Sequence, residues 1–420
     1  MQLEPLAELV RPDAVHRRLY KDPAIYDLEM DRIFKRTWVY VGHESSLPNS
    51  GDFHTMKIGT EPVIFVRAEH GDLQVLVNRC RHRAATVCQV PCGNASTFRC
   101  HYHGWTYGND GRLMAVPFPE RYDHDVRPDL GLVAAPRVES YRGLVFASFN
   151  ESIAKLTDHL GPAAMSYIDR WMAHAGSHRL VALDQAHQVT VDSNWKLQVE
   201  NGIDGYHGRF THRSFFDLMQ QRTGRSVAFA NSLPTAQAKA FTHGNSVIDP
   251  ETTNKAPLRA RIATLPEADR LLAEVRAQVS EAEYEELLDA LTGPGLNIGI
   301  FPNLQLIGIH IRRIDPIAVD RTVVSVRPLM LDGVPPQLNI LRLRYHEMFF
   351  GPAGFGQPDD LEMFARVDLG LDDTEDEWIR LGRGYGVEES IDGMQVGNVT
   401  DETPQRAQYR EWARLMRADS

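Results

Sequence analysis

The rhythm of apolar and polar positions changes twice along the chain. Residues 1–37 read as mainly helical and end in LEMDRIFKRTW. From Trp38 to about Asn150 short runs rich in β-branched and aromatic residues follow one another: WVYVG, DFHTMKI, PVIFVRA and LQVLVN. HGD and NDG supply turns between such runs, so this stretch predicts a small antiparallel β domain. After Asn150 the texture is mixed. Residues 152–173 and LQVENGIDGYHG predict helices, whereas HRLVALDQAHQVTVDSNW, LNIGIFPNLQLIGIHIRRI and RTVVSVRPLML predict strands. Within 266–279, Leu271, Leu272, Val275 and Val279 recur at helical spacing. Ser280 with Glu283 forms a capping box for a second helix, and the pair 266–291 is expected to cover a pocket mouth. From about Trp378 the pattern reads as helix with a Gly-rich interruption. The fold class is therefore α+β: a small all-β domain beside a larger domain with a central antiparallel sheet flanked by helices, helix-grip-like. The expected division is 1–37 as a helical segment packing on the larger domain, 38–156 as the β domain, and 157–420 as the larger domain.

A chain of 420 residues supports two cores. With 43% hydrophobic and 24% charged residues the composition is that of an ordered globular protein. No apolar run approaches the roughly 18 residues of a membrane span. The opening MQLEPLAELVRPDAVH lacks the apolar core of a signal peptide. The expectation is a cytoplasmic protein with no membrane contact. The formal charge of −11 argues against nucleic acid and is compatible with steering a charged redox partner. All four cysteines, Cys80, Cys88, Cys92 and Cys100, fall within 21 residues. That clustering points to a local metal site in a reducing compartment rather than to a disulfide framework.

Cys80-Arg-His82 is followed after 17 residues by Cys100-His-Tyr-His103. Two thiolates and two imidazoles suit a [2Fe–2S] cluster in which histidines replace two cysteines on one iron, which raises its potential. Zinc also accepts Cys2His2, but its usual spacing pairs the cysteines first, whereas here Cys and His alternate. Each pair is too close for a regular helix face and suits two loops closing on the cluster. The text RCRHRAATVC…GNASTFRCHYHGWTYGNDGRL resembles the Rieske segment of aromatic-ring-hydroxylating oxygenases. It departs from that pattern at Ala84, where the family usually has Gly. Cys88 and Cys92 match no Rieske disulfide and read as reduced non-ligands, and His101 reads as a surface or partner-facing residue.

A second constellation runs Glu200-Asn201-Gly-Ile-Asp204-Gly-Tyr206-His207, then His212. Two histidines and a carboxylate form the facial triad of non-haem Fe(II) oxygenases. Asp204 and His207 are spaced to share a helical face. His207 and His212, five apart, would stand roughly 140° apart on a regular helix, and Gly202, Gly205 and Gly208 make a distortion credible. From the residues alone, simply exposed or satisfied histidines remain an open reading. The segment resembles the family's E-N-x2-D-x-Y-H-x4-H signature. By that resemblance His207 and His212 hold the iron, and Asp204 bridges His207 to His103 of a neighbouring subunit. GPAGFGQPDDLEMF resembles the family's distal segment, which makes Asp360 the third ligand. On local chemistry Asp359 and Asp360 also suit a plain helix start.

The resemblance implies the oxygenase component of a Rieske ring-hydroxylating dioxygenase, with one [2Fe–2S] cluster and one mononuclear Fe(II) per chain. It further implies electrons from NAD(P)H through a reductase or ferredoxin, and insertion of both atoms of O2 as a cis-dihydrodiol. A head-to-tail trimer, with or without a small β subunit, is expected. Some relatives monohydroxylate or demethylate, and a pure electron-transfer Rieske protein would explain only residues 38–150. Pocket walls are expected from Asn201, from 303–311 and from 349–355, with Phe350 and Phe355 as candidates. Alternation sends Arg312 and Arg313 to opposite strand faces; one of them holds a substrate carboxylate, or both mark a surface strand end. FTHGNSVID and FPNLQLI resemble enzymes of aromatic carboxylates (benzoate, phthalate or terephthalate type) more than hydrocarbon enzymes.

Overall fold

Between Val39 and Ser148 the β-branched runs fold as ten short strands. The computed structural model describes residues 6–183, 186–224, 235–251, 259 and 262–417, so Asp184 and Gln185 of the predicted strand stretch lie outside the described residues. The strands are β1 (Val39–His43), β2 (Asp52–Ile58), β3 (Glu61–Arg67), β4 (Leu73–Val77), β5 (Cys92–Asn94), β6 (Thr97–Arg99), β7 (Thr106–Gly108), β8 (Leu113–Ala115), β9 (Arg137–Tyr141) and β10 (Leu144–Ser148). They pair antiparallel in three sheets, ordered β4-β3-β2-β5, β8-β7-β6 and β9-β10-β1. Val63–Val66 of β3 are all buried, so side chains on both faces of this strand are covered, and β3 is paired along both edges. Phe53, Ile64, Val66 and Leu76 form one core with Cys80, Cys100, Trp105 and Tyr107. That core continues directly beneath the two cysteine loops. These strands belong to a compact unit spanning Met30–Leu156.

The other unit joins Met1–Glu29 to Thr157–Ser420, so the contact boundary falls at Met30, inside the segment 1–37. That segment is less helical than its pattern suggests. Helices occupy Arg18–Lys21 and Pro23–Glu29, but Val10–Arg11 and Ala14–His16 are strands. Ala14–His16 pairs with Trp378–Arg380, which corrects the helical reading there as well. The region after Trp378 is helical only over Thr403–Leu415, because Glu389–Ile391 and Met394–Asn398 form a hairpin. In each case one strand also pairs with a partner distant in sequence, Ala14–His16 with Trp378–Arg380 and Met394–Asn398 with Gln237–Ala240, which a local pattern does not contain.

The sheet of this unit has ten strands, all paired antiparallel: β11 (Leu180–Ala182), β12 (His187–Val191), β13 (Gln237–Ala240), β14 (Ser246–Asp249), β15 (Asn297–Ile300), β16 (Leu304–Ile307), β17 (His310–Ala318), β18 (Arg321–Leu331), β19 (Glu389–Ile391) and β20 (Met394–Asn398). Their order is β11-β18-β17-β16-β15-β14-β13-β20-β19, with β12 also on β18. The helices are α1 (Leu156–Met172), α2 (Trp195–Gly202), α3 (Gly208–Thr211), α4 (Arg213–Thr223), α5 (Ala268–Arg276), α6 (Glu281–Ala290), α7 (Pro336–Phe350), α8 (Gly356–Gly370) and α9 (Thr403–Leu415). Ser280 caps α6 by accepting the Glu283 N–H at 3.3 Å.

Helix α2 is fastened at both ends. At its start Asn194 accepts the Lys196 N–H, while its amide donates to the Tyr20 and Val319 carbonyls. The buried Lys196 ammonium lies 2.6 Å from Glu29 Oε1, and that carboxylate also accepts the indole N–H groups of Trp195 and Trp412. A buried pair is stabilising only when further hydrogen bonds support it, and here the two indole N–H groups do so on the carboxylate. At its end the free carbonyls of Gln198 and Val199 are taken by Gln305 and that of Gly202 by Asn297.

Candidate functional site

The cysteine loops of the β unit are built alike. Cys80 N–H donates to Ala85 O and Ala84 N–H returns to Cys80 O; Cys100 N–H donates to Trp105 O and Gly104 N–H returns to Cys100 O. The fourth residue after each cysteine then needs a left-handed backbone. Gly104 (φ 74°) meets that need freely, whereas Ala84 (φ 61°) meets it against the steric preference of an L residue. Asn78 ties the first loop down by accepting the Val87 and Cys88 N–H groups. Cys80 and Cys100 are buried free thiols, while His82 and His103 are exposed with ring centroids 4.6 Å apart. Trp105 stacks on His82 at 5.0 Å and 6°, and the Tyr107 hydroxyl lies 3.2 Å from the Cys80 sulfur. Two buried thiols beneath two adjacent imidazoles are a donor set that fits a [2Fe–2S] cluster with one all-cysteine and one all-histidine iron. Cys88 is a buried and Cys92 an exposed free thiol, and His101 is exposed.

In the second unit the backbone leaves the helix where Asp204 and His207 occur. Helix α2 stops at Gly202 and α3 begins only at Gly208, so Asp204 and His207 sit on a turn rather than on one helical face. Close approach sets the two glycines here. A Cβ on Gly202 would stand about 2.1 Å from Gln305 Oε1, and one on Gly205 2.3 Å from the Val399 carbonyl. The turn lets both histidines reach one carboxylate. His207 Nε2 lies 3.7 Å and His212 Nε2 3.4 Å from Asp360 Oδ1, and one donor atom from each of the three lies within 4.8 Å of the others. These separations are too long for direct hydrogen bonds. They suit donors that share a metal at roughly 2.1 Å each.

A carboxylate stands behind each imidazole. Asp204 Oδ2 is 3.5 Å from His207 Nδ1, and Asp359 Oδ2 is 3.5 Å from His212 Nδ1. The adjacent aspartates at the start of α8 therefore face different ring nitrogens, which spacing alone left undecided. Asp204 also accepts the backbone N–H groups of Tyr206 and His207. Burial works to raise its pKa, but these bonds and the His207 imidazole outweigh burial and hold the carboxyl below its usual range. Burial likewise opposes a charge on His207, and Asp204 and Asp360 outweigh it.

The cavity beside this trio is lined by Asn201, Phe349, Phe350, Ile307, Arg312 and His346, among others. Asn201 donates to Asp360 Oδ1 at 3.2 Å. Phe355 does not line it: it is half exposed at the start of α8, with its ring 6.3 Å from that of Phe215. No described residue of 266–291 lines the cavity either, whose wall there begins at Thr292. Alternation along β17 resolves the two arginines. Arg313 pairs with Asp315 on one face, whereas Arg312 is buried toward the cavity. The Arg312 Nε has no hydrogen-bond partner and the side chain no ion pair among the described residues. His346 escaped the sequence reading, and His310 entered it only within the pocket-wall range 303–311. The available signal was the i, i+2 spacing that puts His310 on the same strand face as Arg312.

Comparison with known proteins gives a consistent picture. The family model of the Rieske [2Fe-2S] domain matches residues 37–141. That of the ring hydroxylating alpha subunit (catalytic domain) matches 169–418. The chain is 33% identical to the 2-halobenzoate 1,2-dioxygenase large subunit of Burkholderia cepacia, over 88% of this chain and 79% of the relative. It is 30% identical to the anthranilate 1,2-dioxygenase large subunit of Acinetobacter baylyi, over 96% and 89%. The crystal structure of naphthalene 1,2-dioxygenase from Rhodococcus sp. bound to indole matches with a TM-score of 0.79 at 26% identity, covering 97% of this chain and 95% of that one. Among the described residues no helix is long and apolar enough to cross a membrane.

Proposed function

The chain belongs to the ring-hydroxylating alpha subunits, and on that premise we propose that it cis-dihydroxylates the ring of an aromatic carboxylate. As a Rieske ring-hydroxylating dioxygenase it carries a [2Fe–2S] cluster and a mononuclear iron, which supply single electrons and O2 activation when bound. Cys80, His82, Cys100 and His103 would hold the cluster, and His207, His212 and Asp360 the mononuclear iron. Asp204 orients His207 through Nδ1 and is the electron bridge toward His103 of a neighbouring subunit; Asp359 orients His212 in the same way. Electrons reach this oxygenase component from NAD(P)H through a reductase or ferredoxin, and the chain works as a trimer, with or without a small β subunit.

Arg312 is the observation that carries the substrate class. Burial lowers its pKa and Asp360 only partly offsets that, so a buried guanidinium faces an otherwise largely apolar cavity without a salt-bridge partner. A carboxylate bound there would accept two charge-assisted hydrogen bonds in the fork geometry arginine offers. Phe349 and Phe350 give the ring an apolar wall. Two of the relatives named above act, by their names, on benzoates. The test is turnover of benzoate and of toluene, which carries a small neutral group in place of the carboxylate, with product identification. Wild type should favour benzoate, and Arg312→Gln should lower kcat/KM for benzoate about 30- to 100-fold, roughly 2–3 kcal/mol. Equal turnover of the two compounds by wild type would reject the carboxylate.

A further inference from the structure

Beyond Arg312, the cavity has a second polar feature that the iron site does not use. His346 on α7 lines the cavity and is buried, and His310 on β17 is fully buried behind it, with ring centroids 4.8 Å apart. All four ring nitrogens lack a hydrogen-bond partner among the described residues. Each unsatisfied buried polar group costs about 1–3 kcal/mol, so a fold that keeps two such rings together has a partner for them in its working state.

The partner's chemistry follows from the protonation state and the surroundings. Burial pushes His346 down to about 3 and His310 well below its usual value; His187 and Arg312 act in the same direction on both, and His346 does so on His310. A neutral imidazole offers one N–H donor and one bare nitrogen acceptor. A carboxylate only accepts and so pairs with an imidazole N–H alone. A hydroxyl pairs with whichever nitrogen the tautomer presents, and an amino group donates to the bare one. The position also fits a ring substituent. Phe350 lies 4.6 Å from His310 and 5.6 Å from His346, while Phe349 next to it packs on His212 at 4.9 Å. This phenylalanine pair thus neighbours both His212 of the iron site and the His310–His346 pair, in a cavity that Arg312 also lines.

Resting on the carboxylate reading, we infer that His346, supported by His310, is a specificity-determining residue that hydrogen-bonds a hydroxyl or amino substituent carried by the same ring as the carboxylate. A site built to pair a hydroxyl rejects the analogue that lacks it, because the site's own polar atoms are then left bare.

The test uses the oxygenase with both iron centres and a surrogate reductase. Dissociation constants and kcat/KM are measured for 2-, 3- and 4-hydroxybenzoate, each against the methylbenzoate of the same pattern. At least one hydroxy isomer should exceed its methyl isostere by about tenfold or more in wild type. His346→Phe should collapse that ratio toward one, and His346→Gln, which keeps a donor and an acceptor, should restore part of it. A ratio near one for all three wild-type pairs overturns the inference, as does a ratio that survives in His346→Phe. Should His346→Phe lose the cluster absorption, His346→Leu replaces it, and the wild-type ratio needs no variant. Phenol against toluene separates the two readings: a high phenol ratio with no preference for benzoate over toluene keeps His346 and rejects the Arg312 carboxylate.

Discussion

His207 Nδ1 stands 3.5 Å from Asp204 Oδ2, on the side of the ring opposite the Nε2 that faces Asp360 Oδ1 at 3.7 Å. One imidazole thus lies between two carboxylates of different duty. In the proposed function the outer one would set the tautomer and the inner one would share the metal. An aspartate placed this way holds its charge because the His207 imidazole and two backbone hydrogen bonds outweigh its burial.

Asp204→Asn keeps the size of the side chain and removes the charge. The variant is expected to retain both metals and to slow delivery of electrons to the mononuclear site by tenfold or more, an order-of-magnitude figure for the loss of an outer partner of a metal ligand. Single-turnover oxidation of the reduced cluster, followed optically with substrate and O2 present, measures this. A wild-type rate would remove Asp204 from the electron path.

The two aspartates at the start of α8 separate cleanly. Asp360→Ala should lower bound iron from about three to about two per chain while the visible absorption of the cluster persists. Asp359→Ala should weaken iron binding about 10- to 100-fold without abolishing it, since this carboxylate faces the far nitrogen of His212 and the Ser214 hydroxyl rather than the shared donor atoms. Iron analysis across a chelator series distinguishes the two, and equal loss in both variants would contradict the assignment.

Ala84 offers a test within the first cysteine loop. A left-handed L residue costs roughly 1–2 kcal/mol, and glycine loses roughly 0.5–1 kcal/mol of that advantage through the entropy of the unfolded chain. Ala84→Gly is therefore expected to stabilise the unit by about 0.5–1 kcal/mol. Gly104→Ala should do the opposite, since its Cβ would also stand 3.0 Å from Pro117 Cγ. Thermal loss of the cluster absorption measures both.

Glu200 gives a pH dependence. Burial pushes its carboxyl up to about 7, against the pull of the Tyr409 and Tyr20 hydroxyls that donate to Oε1. A carboxyl with a raised folded pKa favours the fold fully below its unfolded pKa near 4.5, and that contribution is lost as pH rises to about 7. The loss is on the order of 3 kcal/mol at about 1.4 kcal/mol per unit. Glu200→Gln should flatten the fall of Tm between pH 5 and 8, and parallel Tm profiles for variant and wild type would refute the shift.

Amino-acid order by itself determined what depends on near neighbours. The alternating runs before Asn150 became strands, Ser280 capped its helix, and the alternation of Cys and His within a few residues placed four donors on two loops. Such features are legible because each is settled by backbone geometry over a handful of residues. Spacing misled where it put Asp204 and His207 on one helical face, while the distortion it read from the glycines is present. The Gly202 and Gly205 contacts with Gln305 and Val399 belong to strands and loops far along the chain. Only the tertiary structure decided which of Asp359 and Asp360 meets both imidazoles, which arginine of β17 enters the cavity, and that His310 and His346 stand bare beside it. Those outcomes depend on how a strand, a helix end and a turn from separate stretches are packed, and packing across such distances leaves no periodic trace in the chain.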